Sequence, residues 1–375
     1  MLATRRKNVQ IFGKSKDPYH ESLLDEAGSA NSEDDLLRYD PANAPDDMQD
    51  YTASSKHLPK RRKVLGIVLY TPNTSRFANH FHSKILQKFP FLIEMFYWII
   101  TYLFYRMTKV ISRKIFSEEI WDVAEGHGLA LLEFEQYSWA STFFPWKEHE
   151  VQAWFMAGHQ TALTVLNRAY ALIHIPGTVG FIAWYYYIAP SHPTFATIRR
   201  TLTLTNLVAF LTFTLYPCMP PRLLPPQYGF LDSVRHDNAT SIFMSGDYVN
   251  SLAAMPSMHF GYAFVIGITM VWHSTIFRPL STLEKNECRK TLAWKIFYCL
   301  IGIGYPSFIL ITIVATANHY WMDACMAVFA AVIAFCCNKI FLALLPLEDL
   351  LLWCLRLDKP IPSTGERFRA RGGRL

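Results

Sequence analysis

The chain is short of charge. Lys, Arg, Asp and Glu make up 18% of its 375 residues, against 51% hydrophobic and 15% aromatic. That balance is too apolar for an ordinary soluble surface and suits a chain solvated by lipid. Its cysteines argue against a disulfide framework. Of the seven, Cys218, Cys299, Cys325, Cys336 and Cys337 lie in or beside apolar stretches, and no pair has zinc-site spacing. No metal site or cofactor is expected. The first fifteen residues are polar and basic, with no apolar stretch. They do not read as a secretory signal peptide, so the first membrane span is expected to serve for targeting. The net charge of +6 suits a membrane surface and gives no reason to invoke nucleic acid.

In place of charge there is apolar sequence, gathered into blocks. These run over about 91–112, 168–189, 201–217, 258–276, 296–316 and 322–346, each near the ~17–25 residues that cross a bilayer. The expected fold class is therefore all-α: a polytopic membrane protein with a six-transmembrane-helix bundle. Residues 1–63 hold 11 Lys/Arg and 11 Asp/Glu with few aromatics. Such a segment buries too little apolar area to offset its ordering entropy and is expected to be a disordered cytosolic tail. Within it, Lys60-Arg61-Arg62-Lys63 reads as a targeting or headgroup patch, or simply as a solvated basic stretch. Residues 64–119 hold the first span and its flanks, 120–347 a membrane catalytic domain, and 348–375 a basic cytosolic tail with Arg367, Arg369, Arg371 and Arg374.

Between about 113 and 167, Trp121, Trp139, Trp146 and Trp154 mix with Glu118, Glu119, Glu133, Glu135, Glu148 and Glu150. Aromatic anchors beside acidic residues suit interfacial helices; alternatively, 151–166 prolongs the second span. Orientation follows from basic loops. Arg199 and Arg200 precede the third span, and Arg278, Lys285, Arg289, Lys290 and Lys295 fill the loop after the fourth. The positive-inside rule then puts both termini in the cytosol. Arg106, Lys109, Arg113 and Lys114 oppose it. The sequon at Asn238 agrees with this orientation, whereas that at Asn73 does not.

Two short words carry the chemistry: Pro256-Ser257-Met258-His259, and Asn318-His319-Tyr320-Trp321-Met322-Asp323. Each stands at the edge of an apolar block, where it opens a helix. Proline suits a first turn, Asn318 suits an N-cap, and free N–H groups at both helix starts favour an anion. Asp323 follows His319 by four residues, so on a helix the two share a face. An ionisable residue in such a span is a functional hypothesis by default. His319, His259 and Asp323 are thus catalytic candidates, and Arg222 of Pro220-Pro221-Arg222, Ser257 and Asn318 are candidates to bind substrate. The plain reading of His80, His82, His192 and His273 is interfacial, of His174 core packing, and of Arg222 taken alone a snorkelling anchor.

This order of words resembles the type 2 phosphatidic acid phosphatase superfamily, and within it the branch that includes inositol phosphorylceramide synthases. The likeness runs from about 120 to 347 and includes Tyr170, His174 and Pro220-Pro221-Arg222-Leu223-Leu224. It implies a six-helix bundle, metal-free catalysis, His319 as phosphoryl-accepting nucleophile with Asp323 fixing its tautomer, His259 as acid toward the leaving alcohol, and Arg222 on phosphate oxygens. The classical phosphatase members carry an arginine six residues before the nucleophile, where this chain has Ile313, and a lysine before the first arginine that is missing here. The vanadium haloperoxidase relatives use the same basic groups, so their activity is not expected. The resemblance favours a lipid phosphotransferase in the endomembrane system, endoplasmic reticulum or Golgi, with a lumenal active site and membrane lipids as partners. A lipid phosphate phosphatase with water as acceptor is the alternative, and a non-enzymatic transporter or scaffold a third reading.

Overall fold

The computed structural model describes residues 59–64, 66–116, 119–137, 139–233, 252–278 and 291–365, most of them helical. The tail 1–58, the Asn238 sequon, Lys285, Arg289, Lys290 and the arginines from Arg367 onward lie outside the described residues. Contacts divide the chain into two units: Met1–Pro90 with Ile340–Ile361, and Phe91–Lys339 with Pro362–Leu375.

The first unit departs from a purely helical reading. It holds an antiparallel hairpin, β1 (Lys60–Val64) and β2 (Ile67–Thr71), paired from Val64↔Ile67 to Lys60↔Thr71. Gly66, at φ +86°, takes the left-handed conformation that so tight a connection needs. A helix, α1 (Phe81–Lys88), follows. The basic run 60–63 is therefore a strand, and Arg62 is buried rather than solvated. Its Nε stands 2.9 Å from Asp349 Oδ2 and its Nη2 3.2 Å from Oδ1. Thr71 Oγ1 donates to the same carboxylate at 2.7 Å. A carboxylate 287 positions away is what permits that burial, since a buried guanidinium needs a partner.

The second unit is a helical assembly: α2 (Phe91–Phe116), α3 (Ile120–Tyr137), α4 (Glu148–Gly158), α5 (Gln160–Ile188), α6 (His192–Leu215), α7 (Met258–Ser274), α8 (Leu292–Ala315) and α9 (Trp321–Cys337). The six apolar blocks fall on α2 and α5 to α9. Two helical stretches among the described residues, Leu292–Ala315 and Trp321–Cys354, are long and apolar enough to cross a membrane. The chain breaks at His159 (φ −124°, ψ 37°), so 151–158 is the second half of α4 and 160–166 opens α5. Arg199 and Arg200 lie about two turns inside α6, not before it, and both are buried. Arg199 Nη1 sits 2.5 Å from Glu94 Oε1 of α2, with its guanidinium over the Tyr97 ring. These two arginines are therefore not loop charges.

α7 packs against α5, α6, α8 and α9. Its close approach to α8 depends on a glycine pair. A Cβ on Gly267 would come within 2.5 Å of Gly302 O, and one on Gly302 within 2.7 Å of Gly267 O. With no side chain on either, the two backbones touch. The consequence for the site is that α7 is held centrally, with its N-terminus delivered to the turn between α8 and α9.

Candidate active site

At the start of α7, Ser257 is the N-cap, and its Oγ accepts from Phe260 N–H at 3.3 Å. Pro256 therefore precedes the cap instead of occupying the first turn. The Ser257 N–H donates to the backbone carbonyl of Asp323 at 3.1 Å, so one direct bond ties the two words together. His259, in the first turn, has its ring stacked on Tyr170 at 4.1 Å and lies 4.3 Å from the ring of His174. Both α5 residues thus hold the imidazole from the side.

His319 does not lie on a helix. It sits in the turn after α8, where the N–H groups of Asn318 and His319 both donate to Ile313 O, at 3.0 and 3.2 Å. The N-cap of α9 is Tyr320, with Asp323 completing a capping box. The Asn318 side chain instead donates to Thr316 Oγ1 at 2.7 Å and caps nothing. The contact of His319 with Asp323 is accordingly made across the cap rather than along a helix face. Nδ1 of His319 stands 2.7 Å from Ala254 O and 3.2 Å from Asp323 Oδ2. Both neighbours only accept, so Nδ1 carries the proton. Nε2 then presents its lone pair, and it is buried with no hydrogen-bond partner among the described residues. A buried imidazole nitrogen left without a partner is costly unless a substrate completes it.

His319 lines a cavity of about 1100 Å³ together with Tyr170, His174 and His259, and the cavity is continued by aromatic and aliphatic side chains of α2, α5 and α6, such as Trp98, Ile182 and Phe210. Along α5 the lining runs from Tyr170 to Tyr187, ~26 Å at ~1.5 Å per residue. The rings of His259 and His319 are 5.9 Å apart between centroids, which leaves room for one tetrahedral centre between a nucleophile and an acid. Among the described residues, no group of three or more His, Cys, Asp or Glu side chains is placed to hold a metal ion.

The remaining candidates are placed differently. Arg222 forms an ion pair with Asp232, its Nη1 at 3.0 and 3.1 Å from the two carboxylate oxygens. Its backbone N–H donates to Ala317 O at 2.9 Å, which anchors it to the His319 turn. Ser257 is fully buried and its hydroxyl already accepts the capping bond. The α9 N-terminus, expected to offer free N–H groups to an anion, is already occupied by carboxyls of the protein. Tyr320 N–H donates to Asp323 at 2.9 Å, Met322 N–H to Glu135 at 2.6 Å and Trp321 N–H to Glu148 at 3.4 Å. Glu135 and Glu148 were legible only as acidic members of an aromatic stretch. Their burial, 2% and 1% exposed, was the missing signal.

Known proteins bear on this site at one point. Residues 137–284 match the family model described as PAP2 superfamily. No curated protein and no solved structure matches the chain. The matched stretch contains Arg222, Ser257 and His259, and it ends before His319 and Asp323, which the fold alone brings to His259. The match covers less than half of the chain and makes that stretch similar to the PAP2 superfamily.

Proposed function

We propose that this chain is an integral membrane lipid phosphotransferase that works through a histidine nucleophile, in the manner of an inositolphosphotransferase. The observation that carries the reading is the unpartnered Nε2 of His319, on a ring 5.9 Å from that of His259, where both residues line one long cavity. Nε2 attacks phosphorus and forms an N–P bond as the P–O bond to the leaving group breaks; His259 delivers the proton to that oxygen. An acceptor alcohol, or water in the phosphatase variant, then attacks the phosphohistidine and passes its proton to His259, restoring both rings. Acid–base help of this kind supplies roughly 10²–10⁴ in rate. For Arg222 to hold phosphate oxygens, the phosphate must displace or share Asp232.

A lipid substrate is supported by the cavity walls, since ~26 Å of mostly apolar lining accommodates hydrocarbon. A multi-pass disposition is supported by the outward faces of the six helices. Ile99 and Leu103 on α2, Leu172 on α5, Leu211 on α6, Ile268 on α7, Leu300 on α8 and Phe329 on α9 are all more than half exposed, an apolar belt that lipid covers and water does not. With both termini cytosolic, the two words lie on the lumenal side of an endomembrane.

The test is turnover in nanodiscs, using labelled phosphatidate, phosphatidylinositol plus ceramide, and ceramide phosphate, with His319→Ala alongside. A new phospholipid made only by the wild type establishes the transferase. Release of free phosphate assigns the phosphatase. Equal turnover by His319→Ala removes histidine catalysis.

A further inference from the structure

Two buried carboxyls stand at the start of α9, and the mechanism above uses neither. Glu135 comes from α3 and Glu148 from the first turn of α4. They accept from the consecutive N–H groups of Met322 and Trp321, and the charge of Glu148 bears directly on Glu135. Two ionised carboxylates in one buried site repel, which favours a proton on Glu135. On the α9 side and on the segment after α6, the groups that face the pair bring it no positive charge. Asp323 and Tyr320 stand on the α9 side, Cys218 on the segment after α6, and His319 lies behind Asp323 with its proton directed to Ala254 and Asp323. Lys147, half-buried, shares a small polar pocket of about 60 Å³ with Glu135 and Glu148.

We propose that Glu135 and Glu148 act as a positioning pair, clamping the first turn of α9 so that His319 and Asp323 stay in register with His259. It rests on His319 being the nucleophile, but the clamp itself is a statement about α9 and can be read without turnover. Burial, followed by the neighbouring Glu148 carboxyl, pushes the Glu135 carboxyl up to about 11, so Glu135 holds its proton throughout the neutral range. Raising the pH removes it. Three carboxylates, Glu135, Glu148 and Asp323, then crowd one helix start, and the turn that carries the nucleophile loosens. Because the preceding turn is pinned to Ile313 O and to Ala254 O, the movement displaces the His319 ring rather than unfolding α9.

The test uses the full chain in nanodiscs and two readouts. Hydrogen exchange, corrected for its intrinsic base catalysis, follows the amides of Trp321 and Met322 against pH. Wild type is expected to keep them protected at neutral pH and to lose protection in the alkaline range. Glu135→Gln, whose amide both donates and accepts as the protonated acid does, is expected to keep protection at alkaline pH, and Glu135→Ala to lose it at every pH. Turnover should follow the same pattern. Glu135→Ala drops roughly 10- to 10²-fold, the usual cost of a small displacement of a reacting group. Glu135→Gln restores activity and carries it further into the alkaline range. Unchanged protection in Glu135→Ala, or a Glu135→Gln profile that superimposes on wild type, overturns the clamp. Loss of protection in Glu135→Ala together with turnover that survives His319→Ala sinks only the nucleophile and leaves the pair standing.

Discussion

Nδ1 of His319 lies closer to the backbone carbonyl of Ala254, at 2.7 Å, than to the carboxylate of Asp323, at 3.2 Å. The tautomer of the proposed nucleophile is therefore held twice, once by a side chain and once by the main chain. Removing the carboxylate's charge should not undo it. Asp323→Asn, which keeps an acceptor for Tyr320 N–H, is expected to lose roughly 10²-fold in turnover, the low end for an acid–base assembly. His319→Ala should lose all of it while the protein still folds. Side-by-side kcat values in nanodiscs check the order; a loss in Asp323→Asn as complete as in His319→Ala would show that the Ala254 carbonyl does not suffice.

Arg222 is engaged by Asp232, and the pair is not deeply sealed, with side chains 12% and 19% exposed. A charge-assisted contact of this kind competes with an incoming phosphate. Asp232→Asn is expected to tighten inhibition by vanadate or inorganic phosphate, and Arg222→Ala to weaken it, with lipid KM moving in the same directions. Inhibition constants that stay put in both variants would place Arg222 outside the phosphate site.

The Glu135 carboxyl also links folding to pH. Its native value, raised to about 11 from the ordinary 4.5, means that the folded state holds a proton the unfolded chain gives up. The stability from this group is complete below pH 4.5 and declines as pH climbs toward 11. One proton corresponds to about 1.4 kcal/mol per pH unit. Glu135→Gln should flatten the fall of unfolding free energy across the neutral range by up to that slope. Parallel pH dependences in wild type and variant would mean that Glu135 is ionised in the folded protein.

Ala253 lines the cavity beside Met258 and His259. Ala253→Trp fills space there, where Ala253 packs against Phe210 and Phe213, at a stability cost of about 1–3 kcal/mol for overpacking. The KM for long-chain lipid phosphates should rise well above that of wild type, while a soluble, short phosphate ester is hydrolysed nearly as before. Equal losses on both substrates would indicate damage to the histidines rather than a blocked chain site.

Much of this protein is written in local pattern. Six apolar blocks became helices because lipid-compatible runs of such length have little else to form, and the two histidine words stood out because ionisable residues at the edge of such runs need a reason. The capping role of Ser257 and the proximity of Asp323 to His319 were within reach for the same reason: caps and four-residue spacings are local geometry. The sequence by itself therefore determined the helical class, the approximate helix positions and the two histidines most worth testing.

Only the tertiary structure decided the partners. Arg62 reads as a solvated charge until Asp349 arrives, and Arg199 as a loop charge until Glu94 does. The α9 N-terminus reads as an open anion site until Glu135, Glu148 and Asp323 fill it. Arg222 reads as a free cation until Asp232 pairs with it. In each case the deciding contact is with a group that neighbouring residues do not announce, and burial changes the sign of the argument: an exposed charge is cheap and mobile, whereas a buried one must have its counter-charge or its proton specified. That specification depends on which helices meet, and here the meeting of α3, α4, α7 and α9 turns two short words into one site.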